Sequence, residues 1–151
     1  MNHHIRIVTG NANPGLAEAV ASAMGLEVAA AVVGAFQDGE IRVQLESDMR
    51  GRDVFVIQSL SAPVNRHIME LLLLVDAARR AAAARVTVVI PYLAYARQER
   101  KAADGAPISA KVVAGLIGAV GVDRVVAVDM HAAAIEGFFD VPVEHLSAGT
   151  L

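Results

Sequence analysis

The sequence has no cysteine, which excludes a disulfide framework and any metal centre built on thiolates. It has no surplus of positive charge: 13 Lys and Arg against 16 Asp and Glu give a formal net charge of −3. A general nucleic-acid surface needs a basic face, so no nucleic-acid partner is expected and any phosphate binding must be local. The opening residues MNHHIRIV lack the charged-then-apolar order of a secretion signal. The longest apolar stretches, such as MELLLLVDA, are interrupted by charge well before they could span a bilayer. No membrane partner is expected, and a soluble cytoplasmic protein is. Residues 9–15, TGNANPG, match neither the Walker A pattern nor the G-x-G-x-x-G fingerprint. There is also no nucleophile elbow and no Ser/His/Asp order.

What is present is material for a core. Hydrophobic residues make up 55% of the 151 and charged residues 19%, which suits one domain and carries no signature of disorder. Short β-branched runs alternate with Ala- and Leu-rich segments of helical length. Residues 5–10 read as a strand and 14–25 as a helix, with Pro14 in its first turn and Gly25 past its end. A weak strand is expected over 28–33, and the alternation of GEIRVQLE predicts a half-exposed strand over 39–46. The runs at 53–59 and 85–93 are nearly all apolar, as in strands buried on both faces. A long helix is expected over 63–84, a helix over 109–121, a strand over 124–130 and a short helix over 132–139. This β-α-β-α rhythm implies an α/β fold, a parallel sheet with helices on both faces. Ligands collect at the carboxyl ends of such strands, which directs attention to four loops, 9–13, 59–65, 92–107 and 129–132.

The loop 92–107 carries Arg97, Gln98, Glu99, Arg100 and Lys101. A charged run is more often a solvated turn, but this one follows a buried strand and interrupts an Ala-rich chain. A bound polyphosphate, matched by the rigid fork of arginine donors, is the better reading. Phe36, Asp38 and Glu40 would share one side if the chain is extended there, giving a ring to stack on a base and carboxylates to accept from it. The competing reading is an ordinary Asp-Gly turn before a strand, and residue types alone favour it. Asp129 closes a strand and His131 opens a helix, where imidazole could meet a divalent cation or a phosphate, or the pair could be a cap. His3 and His4 open the chain, and His67, beside Arg66 and Glu70, reads as a surface or interface residue. His145 has no partner that the sequence identifies.

Four strings in order carry a resemblance: FQDGEIRVQLE from Phe36, RGRDVFVIQS from Arg50, PVNRHIMELLLLVDAARRAAAARVTVVIPYLAYARQERK from Pro63, and APISAKVVAGLIGAVGVDRVVAVDMHAAAIEGFFDVPVEHL from Ala106. Together they cover 36–146 almost without a gap and resemble the ribose-phosphate pyrophosphokinases. The resemblance implies a phosphoribosyltransferase-like domain acting in nucleotide biosynthesis. The implied reaction moves the diphosphoryl group of ATP onto ribose 5-phosphate, giving 5-phosphoribosyl 1-diphosphate, with Mg²⁺ as cofactor. It also implies a dimer-based homo-oligomer, a hexamer in intact members of the family. By the same resemblance, Phe36, Asp38 and Glu40 bind adenine, offered across a dimer interface to the neighbouring subunit's site. Arg97 and Gln98 contact ATP, His131 meets Mg²⁺ and the ATP phosphates, and Arg50 and Lys101 belong to a regulatory site.

Some residues depart from the family pattern. Glu99 stands where the family usually has Asp, and Gly105 stands where an arginine often precedes the PISAK string. A serine near Asp48 is also replaced. Weakened or altered regulation by phosphate and ADP is therefore expected. The resemblance divides the chain into residues 1–146, an N-terminal ATP-binding domain, and 147–151, the start of a link to a C-terminal domain that the sequence does not contain. The catalytic Lys/Arg loop and the ribose 5-phosphate loop would lie there, so no catalytic residue is expected within these 151 and the chain alone is expected to be inactive. The alternative is a non-catalytic, family-related subunit that assembles with active ones. The set Phe36, Asp38, Glu40, Arg97, Gln98 and His131 favours descent from a working enzyme.

Overall fold

The structure, a computed structural model, describes residues 4–150; His3 and Leu151 lie outside the described residues. The elements follow in the order β1 (Ile5–Thr9), α1 (Pro14–Ala23), β2 (Ala31–Ala35), β3 (Ile41–Leu45), β4 (Asp53–Ile57), α2 (Val64–Arg80), β5 (Arg85–Ile90), α3 (Ser109–Ala119), β6 (Arg124–Val128), a 3-10 helix (Ala133–Phe138) and β7 (Val143–Leu146). Five strands form one parallel sheet in the order β1-β4-β5-β6-β7. Parallel strands need long crossovers, and the helical segments between β4, β5, β6 and β7 supply them.

Register explains the layers. Val8, Val56, Val88, Val125 and Val143 lie opposite one another across the sheet, so their side chains share one face. That face joins Leu71 and Leu74 of α2 and Val113 and Ile117 of α3 in the main core. The adjacent positions Ile7 and Ile57 point the other way and meet Ala17 and Ala21 of α1 in a second cluster. Helices thus cover both faces, as the alternation of apolar runs requires. Leu71 and Leu74 are fully buried, and each such leucine contributes on the order of 1.5–3 kcal/mol. No described helix is long and apolar enough to cross a membrane.

Four details differ from the sequence expectations. The weak strand expected at 28–33 begins only at Ala31, and Val28 makes a single parallel bridge to Ile7. β2 and β3 pair antiparallel as a separate hairpin outside the main sheet. The segment 132–139 is a 3-10 helix, closed by three-residue bonds such as Ile135 N–H to Ala132 O and Phe139 N–H to Glu136 O. A short segment that must bury both Ile135 and Phe139 is better served by this tighter winding than by an isolated α turn. β7, at the sheet edge, has no counterpart among the expected elements.

Candidate functional site

At the carboxyl ends of β4, β5 and β6 the loops enclose a cavity of about 650 Å³. Its walls come from the start of α2 (Pro63, Val64, Asn65 and Arg66), from residues 92–98 after β5, and from Asp129, Met130 and His131 after β6. Three of the four loops singled out by the fold argument therefore meet here. Arg97, Gln98 and His131, which lie as much as 34 residues apart in sequence, line one space.

Local bonds fix this shape. The Leu60 N–H donates to Tyr92 O at 2.9 Å, joining the ends of β4 and β5. Gln98 N–H closes a turn onto Tyr95 O at 2.9 Å, and Gln98 O accepts from Ala110 N–H at 3.2 Å, tying the arginine loop to α3. The Ser109 hydroxyl donates to Gln98 Oε1. The Tyr95 hydroxyl donates to Asn65 Oδ1 at 2.7 Å across the cavity wall. Tyr95 and Asp129 adopt φ of +61° and +44°, a region that non-glycine residues enter at a cost. Both line the cavity, and strain of this kind gathers where a loop is held to a functional shape.

The turn bearing His131 is braced from the edge strand. Met130 N–H donates to His145 Nε2 at 3.0 Å, so that nitrogen is unprotonated, and His145 Nδ1 lies 3.4 Å from Glu136 Oε1. Asp129 Oδ1 accepts from Ala148 N–H at 3.1 Å. His145 thus has two partners, Met130 on the loop after β6 and Glu136 on the 3-10 helix, which only the fold brings to it.

The fourth loop, 9–13, is tied to the site from behind through Glu70. This carboxylate is 0% exposed, and it accepts from Asn11 N–H (3.0 Å), Asn11 Nδ2 (3.1 Å), Gln58 Nε2 (2.9 Å) and Arg66 Nε (3.2 Å). Burial alone pushes its pKa up, but the hydrogen bonds from Asn11, Arg66 and Gln58 outweigh it and hold the carboxyl below the usual glutamate value. Gln58 Oε1 also accepts from Ala12 N–H at 3.2 Å, and Asn11 Nδ2 donates to Val33 O at 3.0 Å, linking hairpin, loop and helix. The sequence does carry a signal for this network: residues 67, 70, 71, 74, 75 and 78 repeat at helical spacing, and the buried ones include His67 and Glu70.

His67, read from sequence as a surface or interface residue, is 6% exposed. Its Nδ1 sits 2.7 Å from Ser61 O, and this bond lets the ring occupy the inner side of α2. Phe36, Asp38 and Glu40 lie at the tip of the β2–β3 hairpin. The chain is not extended there: Phe36 N–H donates to Glu40 O, Gly39 N–H to Phe36 O, and Glu40 N–H to Asp38 Oδ1. The three side chains therefore do not share one strand face, and the Asp-Gly turn, with Gly39 at φ +92°, is what forms. All three residues are exposed, Phe36 by 52%, and none lines the main cavity. Glu40 instead borders a second hollow of about 580 Å³ with Asn65 and Arg66.

Arg50 lies on the turn before β4, where its N–H donates to Asp48 Oδ1, at the amino ends of the strands. Lys101 is exposed on the loop beyond the carboxyl end of β5. Glu99 Oε2 is enclosed without a hydrogen-bond partner, while its Oε1 is 3.9 Å from Arg100 Nε. Gly105 has φ of +78°, a conformation that an arginine there would enter only with strain. Among the described residues no three His, Asp or Glu side chains converge as a metal cluster. Asp129 and His131 are the metal-capable side chains on the cavity, which suits Mg²⁺ held by one or two protein ligands, waters and a polyphosphate.

Comparison with known proteins gives a consistent result. The family model described as the N-terminal domain of ribose phosphate pyrophosphokinase matches residues 5–121. A ribose-phosphate pyrophosphokinase of Bradyrhizobium diazoefficiens is 51% identical over 150 residues, covering 99% of this chain and 47% of the relative. One from Caldanaerobacter subterraneus is 52% identical over 147 residues, 97% of this chain and 46% of the relative. The crystal structure of phosphoribosylpyrophosphate synthetase from Mycobacterium smegmatis superposes with a TM-score of 0.93 at 43% identity, over 96% of this chain and 49% of that one. The chain thus spans about half the length of the relatives it matches.

Proposed function

This chain belongs to the ribose phosphate pyrophosphokinase family, and we propose that its cavity holds the polyphosphate of ATP for transfer of the diphosphoryl group to ribose 5-phosphate. The observation that carries this reading is the meeting of Arg97, Gln98 and His131 on one cavity at the carboxyl ends of the strands. In the transfer, the anomeric oxygen of ribose 5-phosphate attacks the β-phosphorus, the bond from that phosphorus to the α-phosphate oxygen breaks, and AMP leaves. Such a reaction is served mainly by positioning and by offsetting charge. Arg97 supplies a planar fork of donors, and Gln98, anchored to α3 through its carbonyl and amide, fixes where that fork stands. His131 and Asp129 are the residues that would meet Mg²⁺. When bound with ATP, the metal neutralises charge on the phosphate oxygens.

Phe36, Asp38 and Glu40 are the proposed adenine-binding group. Their exposure at a hairpin tip, away from the cavity of their own chain, supports presentation to a neighbouring subunit in a dimer-based homo-oligomer. Arg50 and Lys101, on loops at opposite ends of the strands, are the proposed regulatory cations. The glycine at 105 supports weakened or altered control by phosphate and ADP. Residues 1–146 act as the ATP-binding domain and 147–151 as the start of a link, in a cytoplasmic enzyme of nucleotide biosynthesis. The 151 residues alone bind ATP without completing the transfer. Calorimetric titration of the chain with ATP and Mg²⁺, followed by an assay for AMP on adding ribose 5-phosphate, tests both halves of the reading. Saturable binding without AMP supports it, and failure to bind ATP overturns it.

A further inference from the structure

A carboxylate buried as fully as Glu70 is costly unless it is paired, and an apolar side chain would suit its place beside Leu71 and Leu74. Besides tying the 9–13 loop and Gln58, the charge holds Arg66. Arg66 stands one turn earlier in α2, its Nε bound to Glu70 Oε1 at 3.2 Å, and its side chain is 44% exposed. Among the described residues its terminal nitrogens have no hydrogen-bond or ion-pair partner. Arg66 borders both the main cavity and the hollow beside Glu40. An arginine gripped by one edge presents the other edge pre-oriented, which is how this side chain reads phosphate oxygens at low entropic cost. The cavity already holds Arg97, and the first turn of α2, which has no side-chain cap, adds potential of the same sign. With Arg66 these make three sources of positive potential around one cavity, which call for a ligand with several negative groups.

We infer that Arg66 is a further polyphosphate-binding arm of this cavity, with Glu70 as its positioning residue. The inference rests on the ATP reading above and assigns the contact to a residue outside the arginine loop. Glu70 acts through Arg66 and does not itself touch the ligand, so replacing Glu70 should be felt only while Arg66 is present.

The test is a calorimetric titration of the 151-residue chain with tripolyphosphate and with ATP at several salt concentrations. It compares the unaltered protein with Arg66→Gln, Arg66→Lys, Glu70→Gln, the double variant and Arg97→Ala, each checked for native circular dichroism. Arg66→Gln is expected to weaken tripolyphosphate binding roughly tenfold, as loss of one charge-assisted contact does, and to flatten the salt dependence of the affinity. Arg66→Lys, which keeps the charge and a folded surface, should recover part of the loss. Glu70→Gln should weaken binding on its own and add nothing in the Arg66→Gln background, a non-additivity that general destabilisation would not produce. If Arg66→Gln binds tripolyphosphate as the unaltered chain does while Arg97→Ala is weakened, Arg66 is no such arm and the ATP reading stands. If the unaltered chain binds neither tripolyphosphate nor ATP, both fall.

Discussion

His145 Nε2 accepts the Met130 backbone N–H at 3.0 Å, so the edge strand of the sheet holds the turn that carries His131. The bond joins β7 to the loop after β6, and the Glu136 carboxylate on the far side of the ring steers which nitrogen faces Met130. Replacing His145 with alanine leaves that N–H without its acceptor, at a cost of about 1 kcal/mol. ATP affinity should fall about fivefold, with the His131 ring resonances broadened in NMR spectra while the core strands keep their shifts.

The parallel strands were legible because β4 and β5 are apolar on both faces, which few other settings tolerate. β7 was not, because VEHL has one half-buried residue and three exposed ones, and its strand geometry comes from pairing with β6. The arginine loop declared itself by charge after an apolar run. Glu70 and His67 did not, since their partners Asn11, Gln58 and Ser61 lie elsewhere in the sequence and only the fold brings the loop 9–13 and β4 against α2. The helical spacing puts both on the inner stripe with Leu71 and Leu74, a signal that the surface or interface reading of His67 passed over.

Glu70 gives the chain an acid-sensitive contribution to stability. Its folded pKa lies below the ordinary value, so the contribution is complete above the unfolded glutamate's pKa of about 4.3 and is lost as pH falls through the folded value. Glu70→Gln should destabilise the chain by about 1–3 kcal/mol at neutral pH. The difference from the unaltered chain should narrow as the pH drops below about 4.3. Urea denaturation at a series of pH values measures it.

Gly10 passes close beneath the Gln58 amide, where a Cβ would overlap buried side-chain atoms. Gln58 cannot retreat without giving up its bonds to Glu70 and Ala12. Gly10→Ala should therefore cost about 1–3 kcal/mol, as overpacking does, whereas Gly115→Ala, with open space around its Cβ on a helix, should be neutral or slightly stabilising. Thermal unfolding of the two variants side by side reads the contrast.

Phe36 is exposed at the hairpin tip and contributes little to the core of its own chain. Phe36→Ala should change stability by less than about 0.5 kcal/mol. If the proposed presentation to a neighbouring subunit is correct, it should nevertheless weaken nucleotide binding in a dimer-based assembly. Thermal unfolding and an adenosine titration of the oligomer, with sedimentation to confirm assembly, separate the two effects.

The most direct measurement is the affinity of the 151-residue chain for ATP with Mg²⁺, set against that of Arg97→Ala. Saturable binding by the unaltered chain, weakened about tenfold or more in the variant and falling with salt, is the predicted result. No binding by the unaltered chain, or equal affinity in the two proteins, would contradict an ATP-holding cavity built on the arginine loop.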